Sequence, residues 1–123
     1  MKKILVIDDE QTLLTMLVET LQMLGFDALA APDGASGIEM ALQQKPDLIL
    51  CDLNMPAVDG LQTLQAIRNA PSTATIPFIL LSGFADSQTR LQAQKSGATN
   101  IITKPFVLSE LRQTLDRTLQ NAA

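Results

Sequence analysis

Short apolar runs alternate along this chain with longer stretches in which apolar residues recur every three or four positions. Continuous runs at residues 3–7, 48–51 and 76–81 are typical of strands that are buried on both faces of a sheet. Weaker runs at residues 27–31 and 100–103 are of similar length. The pattern therefore predicts five short strands.

The longer stretches have the spacing of amphipathic helices. Gly25 ends the first of them, and Gly97 ends the fourth, which is predicted over residues 86–96. A turn at residues 32–34 precedes the second helix, and a loop at residues 54–59 precedes the third. The apolar positions of the first, second, third and fifth helices are Leu13, Leu14, Leu17, Val18, Leu21 and Leu24; Ile38, Ala41 and Leu42; Leu61, Leu64 and Ile67; and Leu108, Leu111, Leu115 and Leu119.

Strands that alternate with helices predict an α/β fold. The expected arrangement is a doubly wound, five-stranded parallel sheet with five helices on both faces and right-handed crossovers. A chain of 123 residues is short for two domains, since division becomes common only near ~250 residues. We therefore expect residues 1–123 to form a single domain, with no output domain in this chain.

Composition and charge exclude several classes of function. The chain contains no histidine, so catalysis, metal binding and phosphoryl transfer through imidazoles of its own are excluded. Its net charge of −4 argues against binding to nucleic-acid backbones. Cys51 is the single cysteine, so no internal disulfide can form. No apolar run approaches the ~20 residues needed to cross a bilayer, and we expect a soluble, cytoplasmic protein without membrane insertion.

Charged and hydroxyl side chains stand at the carboxyl ends of four predicted strands. Asp8 and Asp9 follow the first strand, and Asp52, Ser82 and Lys104 follow the third, fourth and fifth. In doubly wound sheets these ends share one edge, where ligands bind. Taken singly, each residue is also an ordinary helix cap or turn residue. Together, three carboxylates would repel one another without a cation, and Mg²⁺, which prefers oxygen ligands, fits the set.

Four segments resemble those of the response-regulator receiver domains of two-component signalling, and the length is similar to that of the single-domain, chemotaxis-regulator type. They are VIDDE at 6–10, CDLNMPAVDG at 51–60, LLSGF at 80–84 and TKPF at 103–106. The resemblance covers essentially the whole chain. It implies a flavodoxin-like sheet with the strand order 2-1-3-4-5 and a Mg²⁺-dependent phosphoacceptor.

The same resemblance implies a role for each residue of the metal site. Asp52 would accept the phosphoryl group and bind Mg²⁺. Asp9 would be a direct metal ligand, whereas Asp8 would act largely through bound water. The backbone carbonyl of Asn54 would complete the ligands that the protein supplies.

The resemblance also implies how the phosphoryl group arrives and what it changes. A sensor histidine kinase or a histidine phosphotransfer protein would donate it. Lys104 would pair with the phosphoryl oxygens, Ser82 would donate a hydrogen bond to one of them, and the peptide bond between Lys104 and Pro105 would be cis. A downstream protein would bind the face built from the fourth helix, the fifth strand and the fifth helix. The chain would be a signalling domain that catalyses only its own phosphorylation and slow dephosphorylation, and a monomer or weak dimer.

Three positions are open to two interpretations each. Ile101 stands where the family usually has an aromatic residue that rotates inward. Either Ile101 only fills space in the core, or the protein signals without the aromatic rotation. In the second case the signal would pass through backbone shifts at residues 82–86 or through another face of the protein. Phe84 either shields the phosphoryl group from water or contacts a partner. Gly83 either leaves access to the phosphoacceptor open or only serves the turn.

Two rival functions are less favoured. A Mg²⁺-dependent phosphatase with an aspartyl nucleophile usually carries an acid–base Asp two residues beyond that nucleophile, where this chain has Asn54. A receiver-like interaction module that never needs phosphate would not require the complete set of strand-end residues. Asp59 and Gly60 are assigned to the turn that enters the third helix and not to the site. The leucine stripe of the last helix is assigned to the core, with a dimer face as the alternative.

Overall fold

The computed structural model describes residues 1–83 and 86–121, and the predicted alternation of strands and helices is present in them. The elements are β1 (Lys3–Ile7), α1 (Gln11–Met23), β2 (Asp27–Ala31), α2 (Gly34–Gln44), β3 (Leu48–Asp52), α3 (Gly60–Asn69), β4 (Phe78–Ser82), α4 (Ser87–Lys95), β5 (Asn100–Thr103) and α5 (Leu108–Asn121). All strand pairs are parallel, in the order β2-β1-β3-β4-β5. The predicted doubly wound fold and its strand order are therefore confirmed.

Helices cover both faces of the sheet. On one face, α1 and α5 contribute Leu17 and Leu115 to a core that includes Leu50 of β3. On the other face, α2, α3 and α4 pack in a second core, in which Leu64 and Phe78 are fully buried. Every residue of β3 and β4 is buried, which explains why these strands are continuous apolar runs. Among the described residues, no helix combines the length and the apolar character needed to cross a bilayer.

The two glycines that were predicted to end helices do so in the same way. Gly25 and Gly97 have φ values of 94° and 101°, in the left-handed region that favours glycine. In both cases the residue after the glycine donates its N–H to the carbonyl five residues back, at 3.0 Å. This pattern satisfies a carbonyl at the end of the helix and directs the chain into the next strand.

Three strand boundaries and one burial assignment differ from the prediction. β4 begins two residues later than predicted, because Pro77 has no N–H and the N–H of Ile76 donates within the preceding turn. β4 and β3 each extend one residue further, to Ser82 and Asp52. Leu108 is 52% exposed and does not belong to the core. It is the first residue of α5 and borders an open groove between α1 and α5.

Candidate functional site

Four of the five strands deliver a polar side chain to the same edge of the sheet. Asp52 and Ser82 are the last residues of β3 and β4, and Asp8 and Lys104 directly follow β1 and β5. Because all the strands are parallel, their carboxyl ends meet at one edge. The fold therefore brings together residues that are far apart along the chain.

Three carboxylates form an acidic cluster at this edge. One carboxylate oxygen from each of Asp8, Asp9 and Asp52 lies within 4.8 Å of the others. Asp8 is fully buried and Asp52 is 6% exposed, whereas Asp9 faces solvent. Like charges at this range are unfavourable unless a cation joins them. The cluster offers the hard oxygen donors that Mg²⁺ prefers.

The two oxygens of the Asp8 carboxylate have different surroundings. Oδ1 accepts a hydrogen bond from the backbone N–H of Glu10 at 2.9 Å. Oδ2 is buried and accepts no hydrogen bond from the residues that the structure describes, although Nζ of Lys104 lies 3.7 Å away. Burial raises the pKa of Asp8, the Glu10 N–H and Lys104 oppose that rise, and the charges of Asp52 and Asp9 add to it. A buried carboxylate oxygen without a hydrogen bond is a position where a metal ion or a metal-bound water fits.

Lys104 connects the acidic cluster to β4. Its Nζ donates a hydrogen bond to Oδ1 of Asp52 at 2.9 Å, and its backbone N–H donates to the carbonyl of Ser82 at 2.7 Å. The peptide bond between Lys104 and Pro105 is cis, the isomer that the resemblance implies. The Lys104 side chain is 25% exposed, so its ammonium group is held at Asp52 and is still accessible to an incoming anion.

The positions that flank the acidic cluster differ in exposure. Ser82 is fully buried and is paired with Thr103 in the register of β4 and β5. Gly83 is exposed, and a Cβ added to it would meet no described atom within 4 Å. Asn54 is exposed in the loop between β3 and α3. Phe84 lies outside the described residues.

Ile101 is half-buried in β5 and packs against the core on the α4 side of the sheet. It borders an open cleft of about 370 Å³, which is also lined by Arg90 and Gln94 of α4. Nη2 of Arg90 donates a hydrogen bond to Oγ1 of Thr103 at 3.2 Å. This link joins α4 to the residue before Lys104. Sequence reasoning missed it, because it depends on how α4 packs against β5.

The loop between β3 and α3 is fixed in a way that sequence reasoning also missed. Asp59 caps α3: its side chain accepts the N–H of Gln62, and its own N–H donates to Oε1 of Gln62. The assignment of this pair to the turn is therefore correct. Gly60, however, also donates its N–H to the carbonyl of Leu53 at 2.9 Å and lies against the backbone of Asp52. No local sequence signal shows this close approach, because it depends on how the loop folds back onto the end of β3.

Comparisons with known proteins agree on one family. The model of the response regulator receiver domain family matches residues 4–116. The chain is 38% identical over 122 residues to the DNA-binding dual master transcriptional regulator RpaA of Synechocystis sp., a match that covers 96% of this chain and 51% of RpaA. It is 34% identical over 115 residues to a probable chemotaxis protein CheY of Rhizobium etli, covering 93% of this chain and 89% of that protein. The chain thus spans about half the length of RpaA and most of the length of the CheY relative.

Solved structures show the same relationship. The chemotaxis protein CheY4 of Vibrio cholerae has a TM-score of 0.92 at 30% identity, with 96% of this chain and 98% of that chain covered. The receiver domain of the sensor histidine kinase PA1611 of Pseudomonas aeruginosa has a TM-score of 0.89 at 28% identity, with 97% and 98% covered. The backbone path is therefore shared with both proteins.

Proposed function

The chain belongs to the family of response regulator receiver domains, the signalling domains of two-component systems, and on this premise we propose that it accepts a phosphoryl group on Asp52 in a Mg²⁺-dependent reaction. The observation that carries the proposal is the arrangement around Asp52. Its nearly buried carboxylate lies 2.9 Å from Nζ of Lys104 and within 4.8 Å of carboxylate oxygens of Asp8 and Asp9. A carboxylate nucleophile, a cation site and a fixed ammonium group are the parts that aspartyl-phosphate chemistry requires.

The residues at the edge of the sheet fit a magnesium ion. The buried Oδ2 of Asp8 accepts no hydrogen bond within the described part of the chain, and three carboxylates converge beside it. A magnesium ion is coordinated in the active site cleft of the PA1611 receiver domain. In this chain Asp8, Asp9 and Asp52 would hold the ion with the carbonyl of Asn54. Bound Mg²⁺ would neutralise negative charge on the phosphoryl oxygens.

The chain's own residues would bind and orient the reacting groups. A carboxylate oxygen of Asp52 forms the new P–O bond while the bond from phosphorus to the donor's nitrogen or oxygen breaks, and that bond's electron pair leaves with the donor. The ammonium group of Lys104 is close enough to Asp52 to pair with a phosphoryl oxygen, and the hydroxyl of Ser82 would be a second donor. Because the transition state is loose, alignment and charge neutralisation supply most of the catalysis.

Phosphorylation would change the charge at the ends of β4 and β5. Asp52 would pass from one negative charge to roughly two, with additional acceptor oxygens. Lys104 and Ser82 are already joined by the backbone hydrogen bond of 2.7 Å, so a phosphoryl group that recruits both would shift the two strand ends together. We expect the shift to reach a downstream protein through the face of α4, β5 and α5. Because position 101 has no aromatic side chain, residues 82–86 would transmit this shift. Residues 84 and 85 of that segment lie outside the described part of the chain.

The phosphodonor would be a histidine kinase or a histidine phosphotransfer protein, since the chain has no histidine of its own. A groove of about 350 Å³ opens beside the acceptor and is lined by Leu13, Met16, Lys104, Pro105 and Phe106. Met16 is 49% exposed there. Because Lys104 belongs to both the groove and the acceptor site, a donor protein seated in the groove by an apolar surface would present its phosphohistidine to Asp52.

Intact mass after incubation with Mg²⁺ and acetyl phosphate tests the proposal. We expect the wild type to gain one phosphoryl group, and we expect no gain for Asp52→Asn or for the wild type in EDTA. Asp27→Asn removes the same charge from the exposed start of β2 and should be phosphorylated like the wild type. A folded wild type that gains no mass and forms no beryllofluoride complex would refute the proposal and favour the phosphate-independent interaction module.

A further inference from the structure

The loop at residues 53–59 is held on one side by a glycine that leaves no space for a side chain. Gly60 begins α3, and a Cβ added to it would lie 2.5 Å from the carbonyl oxygen of Asp52 and 2.7 Å from Cα of Leu53. Both contacted atoms belong to the backbone, so relief requires movement of the end of β3 or of α3. The hydrogen bond from the Gly60 N–H to the Leu53 carbonyl, at 2.9 Å, holds these two segments together.

A second glycine contacts the other end of the same loop. Gly34 begins α2, and a Cβ added to it would lie 2.6 Å from Oγ1 of Thr63 and 2.7 Å from the carbonyl oxygen of Val58. Thr63 is itself fixed, because it is fully buried and its Oγ1 donates to the Asp59 carbonyl at 2.8 Å. The first turn of α2 therefore packs directly on the end of the loop.

Two further features restrict the loop between these contacts. Met55 is 8% exposed and packs in the core between the sheet and the helices α2, α3 and α4. Ala57 has a φ of 64°, a left-handed conformation that a residue other than glycine adopts only where its surroundings impose it. The loop thus follows one defined path although it has no regular secondary structure, and that path determines where the backbone of Asn54 lies.

We propose that Gly60 and Gly34 are positioning residues for the magnesium site. Their close approach sets the path of the loop after Asp52, and so the place of the Asn54 carbonyl relative to the carboxylates. The inference rests on the proposed function, in which Mg²⁺ binds at this edge. A methyl group at position 60 would need contacts near about 3.5 Å, which requires a shift of roughly 1 Å. Loss of a supporting contact typically weakens metal binding ~10–100-fold.

Isothermal titration calorimetry with Mg²⁺ tests the inference on the wild type, Gly60→Ala, Gly34→Ala and Gly25→Ala. The free energy of unfolding of each protein is measured in EDTA. Gly25 is the control: its φ of 94° strains an alanine, but an added Cβ would meet no described atom within 4 Å, so the loop and β1 are not disturbed. We expect Gly60→Ala and Gly34→Ala to bind Mg²⁺ roughly 10–100-fold more weakly. Gly25→Ala should keep the wild-type affinity although it is destabilised.

The arms of the experiment separate the two proposals. A wild type that does not bind Mg²⁺ refutes the proposed function, and this inference with it. If the wild type binds Mg²⁺, and Gly60→Ala and Gly34→Ala bind it with the same affinity, the glycines do not position the site. The proposed function is not affected by that result. Equal weakening in Gly25→Ala also overturns the role of the glycines, because metal binding would then follow overall stability. If Gly60→Ala does not fold, the affinity of Gly34→Ala decides.

Discussion

Removal of the buried charge of Asp8 should stabilise the protein when no divalent cation is present. The pKa of this carboxyl is raised, chiefly by burial, so the folded state disfavours the ionised form. A carboxyl with a raised pKa opposes folding at neutral pH and ceases to oppose it once the pH is low enough to protonate it. Asp8→Asn removes this penalty permanently. The amide Oδ1 can still accept the N–H of Glu10, and Lys104 keeps its hydrogen bond to Asp52.

The distances around Asp8 give the part of this penalty that neighbouring charges cause; burial, the largest cause of the raised pKa, adds to it, and the hydrogen bond from Glu10 opposes it. With an effective dielectric constant of about 20, repulsion from Asp9 or from Asp52, each within 4.8 Å, costs roughly 3.5 kcal/mol. Attraction to Lys104 at 3.7 Å contributes roughly 4.5 kcal/mol of stabilisation. The repulsion from Asp9 and Asp52 therefore exceeds the attraction by about 2–3 kcal/mol. Asp9 is exposed and Lys104 is partly exposed, so solvent screens part of this difference. We expect Asp8→Asn to be more stable by about 1–2 kcal/mol, a rise in Tm of roughly 3–8 °C.

Unfolding in denaturant, followed by far-UV circular dichroism because the chain has no Trp or Tyr, measures this difference in EDTA and again in Mg²⁺. Mg²⁺ should raise the free energy of unfolding of the wild type. Asp8→Asn should have a higher free energy of unfolding than the wild type in EDTA, and Mg²⁺ should raise it by a smaller amount. Asp27→Asn makes the same change in net charge at an exposed position and should leave stability nearly unchanged. The reasoning is refuted if Asp8→Asn is less stable than the wild type in EDTA. It is also refuted if Asp27→Asn is stabilised over the wild type as much as Asp8→Asn is.

Three further outcomes test other parts of the structure. Arg68 donates hydrogen bonds to three backbone carbonyls, so Arg68→Met should lower the free energy of unfolding by about 2–3 kcal/mol, whereas the exposed Arg112→Met should change it by less than ~0.5 kcal/mol. The Ser36 N–H and hydroxyl lower the pKa of Asp33, so Asp33→Ala should be less stable than the wild type above pH 3.8, and this deficit should vanish as acid protonates Asp33. Urea titrations at neutral and acidic pH measure both effects. If Phe84 shields the phosphoryl group, Phe84→Ala should lose it faster, and an unchanged dephosphorylation rate would rule shielding out.

Much of the fold was predictable because burial and backbone conformation leave strong local signals. β3 and β4 are buried on both faces, so their residues are apolar without interruption. Gly25 and Gly97 occupy left-handed positions that other residues avoid. The edge that gathers Asp8, Asp52 and Lys104 followed from the same reasoning, because parallel strands place their carboxyl ends together.

Contacts between segments that are distant in sequence were not predictable. Gly60 was assigned to a turn, and nothing in the local pattern shows that its Cα faces the backbone of Asp52. The hydrogen bond from Arg90 to Thr103 depends on where α4 lies over β5. Leu108 has the helical spacing of a core position, yet it lies at the first turn of α5, where the groove beside α1 is open. Periodicity reports which face of a helix is apolar and not whether another element covers each turn.

Of the helices on its face of the sheet, α4 is the most weakly held. Ala93 is its one buried side chain, and burial of a methyl group contributes only about 0.8 kcal/mol. Polar contacts between described residues also hold it. Nε of Arg68 donates to the Gly97 carbonyl at 3.0 Å just beyond the helix, and Arg90 binds Thr103 near its start.

This weak attachment bears on how a receiver without the usual aromatic residue can signal. A hydrogen bond such as that between Arg90 and Thr103 contributes only ~1 kcal/mol, less than the electrostatic change that a phosphoryl group brings to Asp52. Thr103 precedes Lys104, so movement of Lys104 toward a phosphoryl group acts on that hydrogen bond through a single peptide unit. We therefore expect α4 to respond through the link between Arg90 and Thr103. Ile101 would then remain a packing residue, and the route to the face of α4, β5 and α5 would not require rotation of a ring.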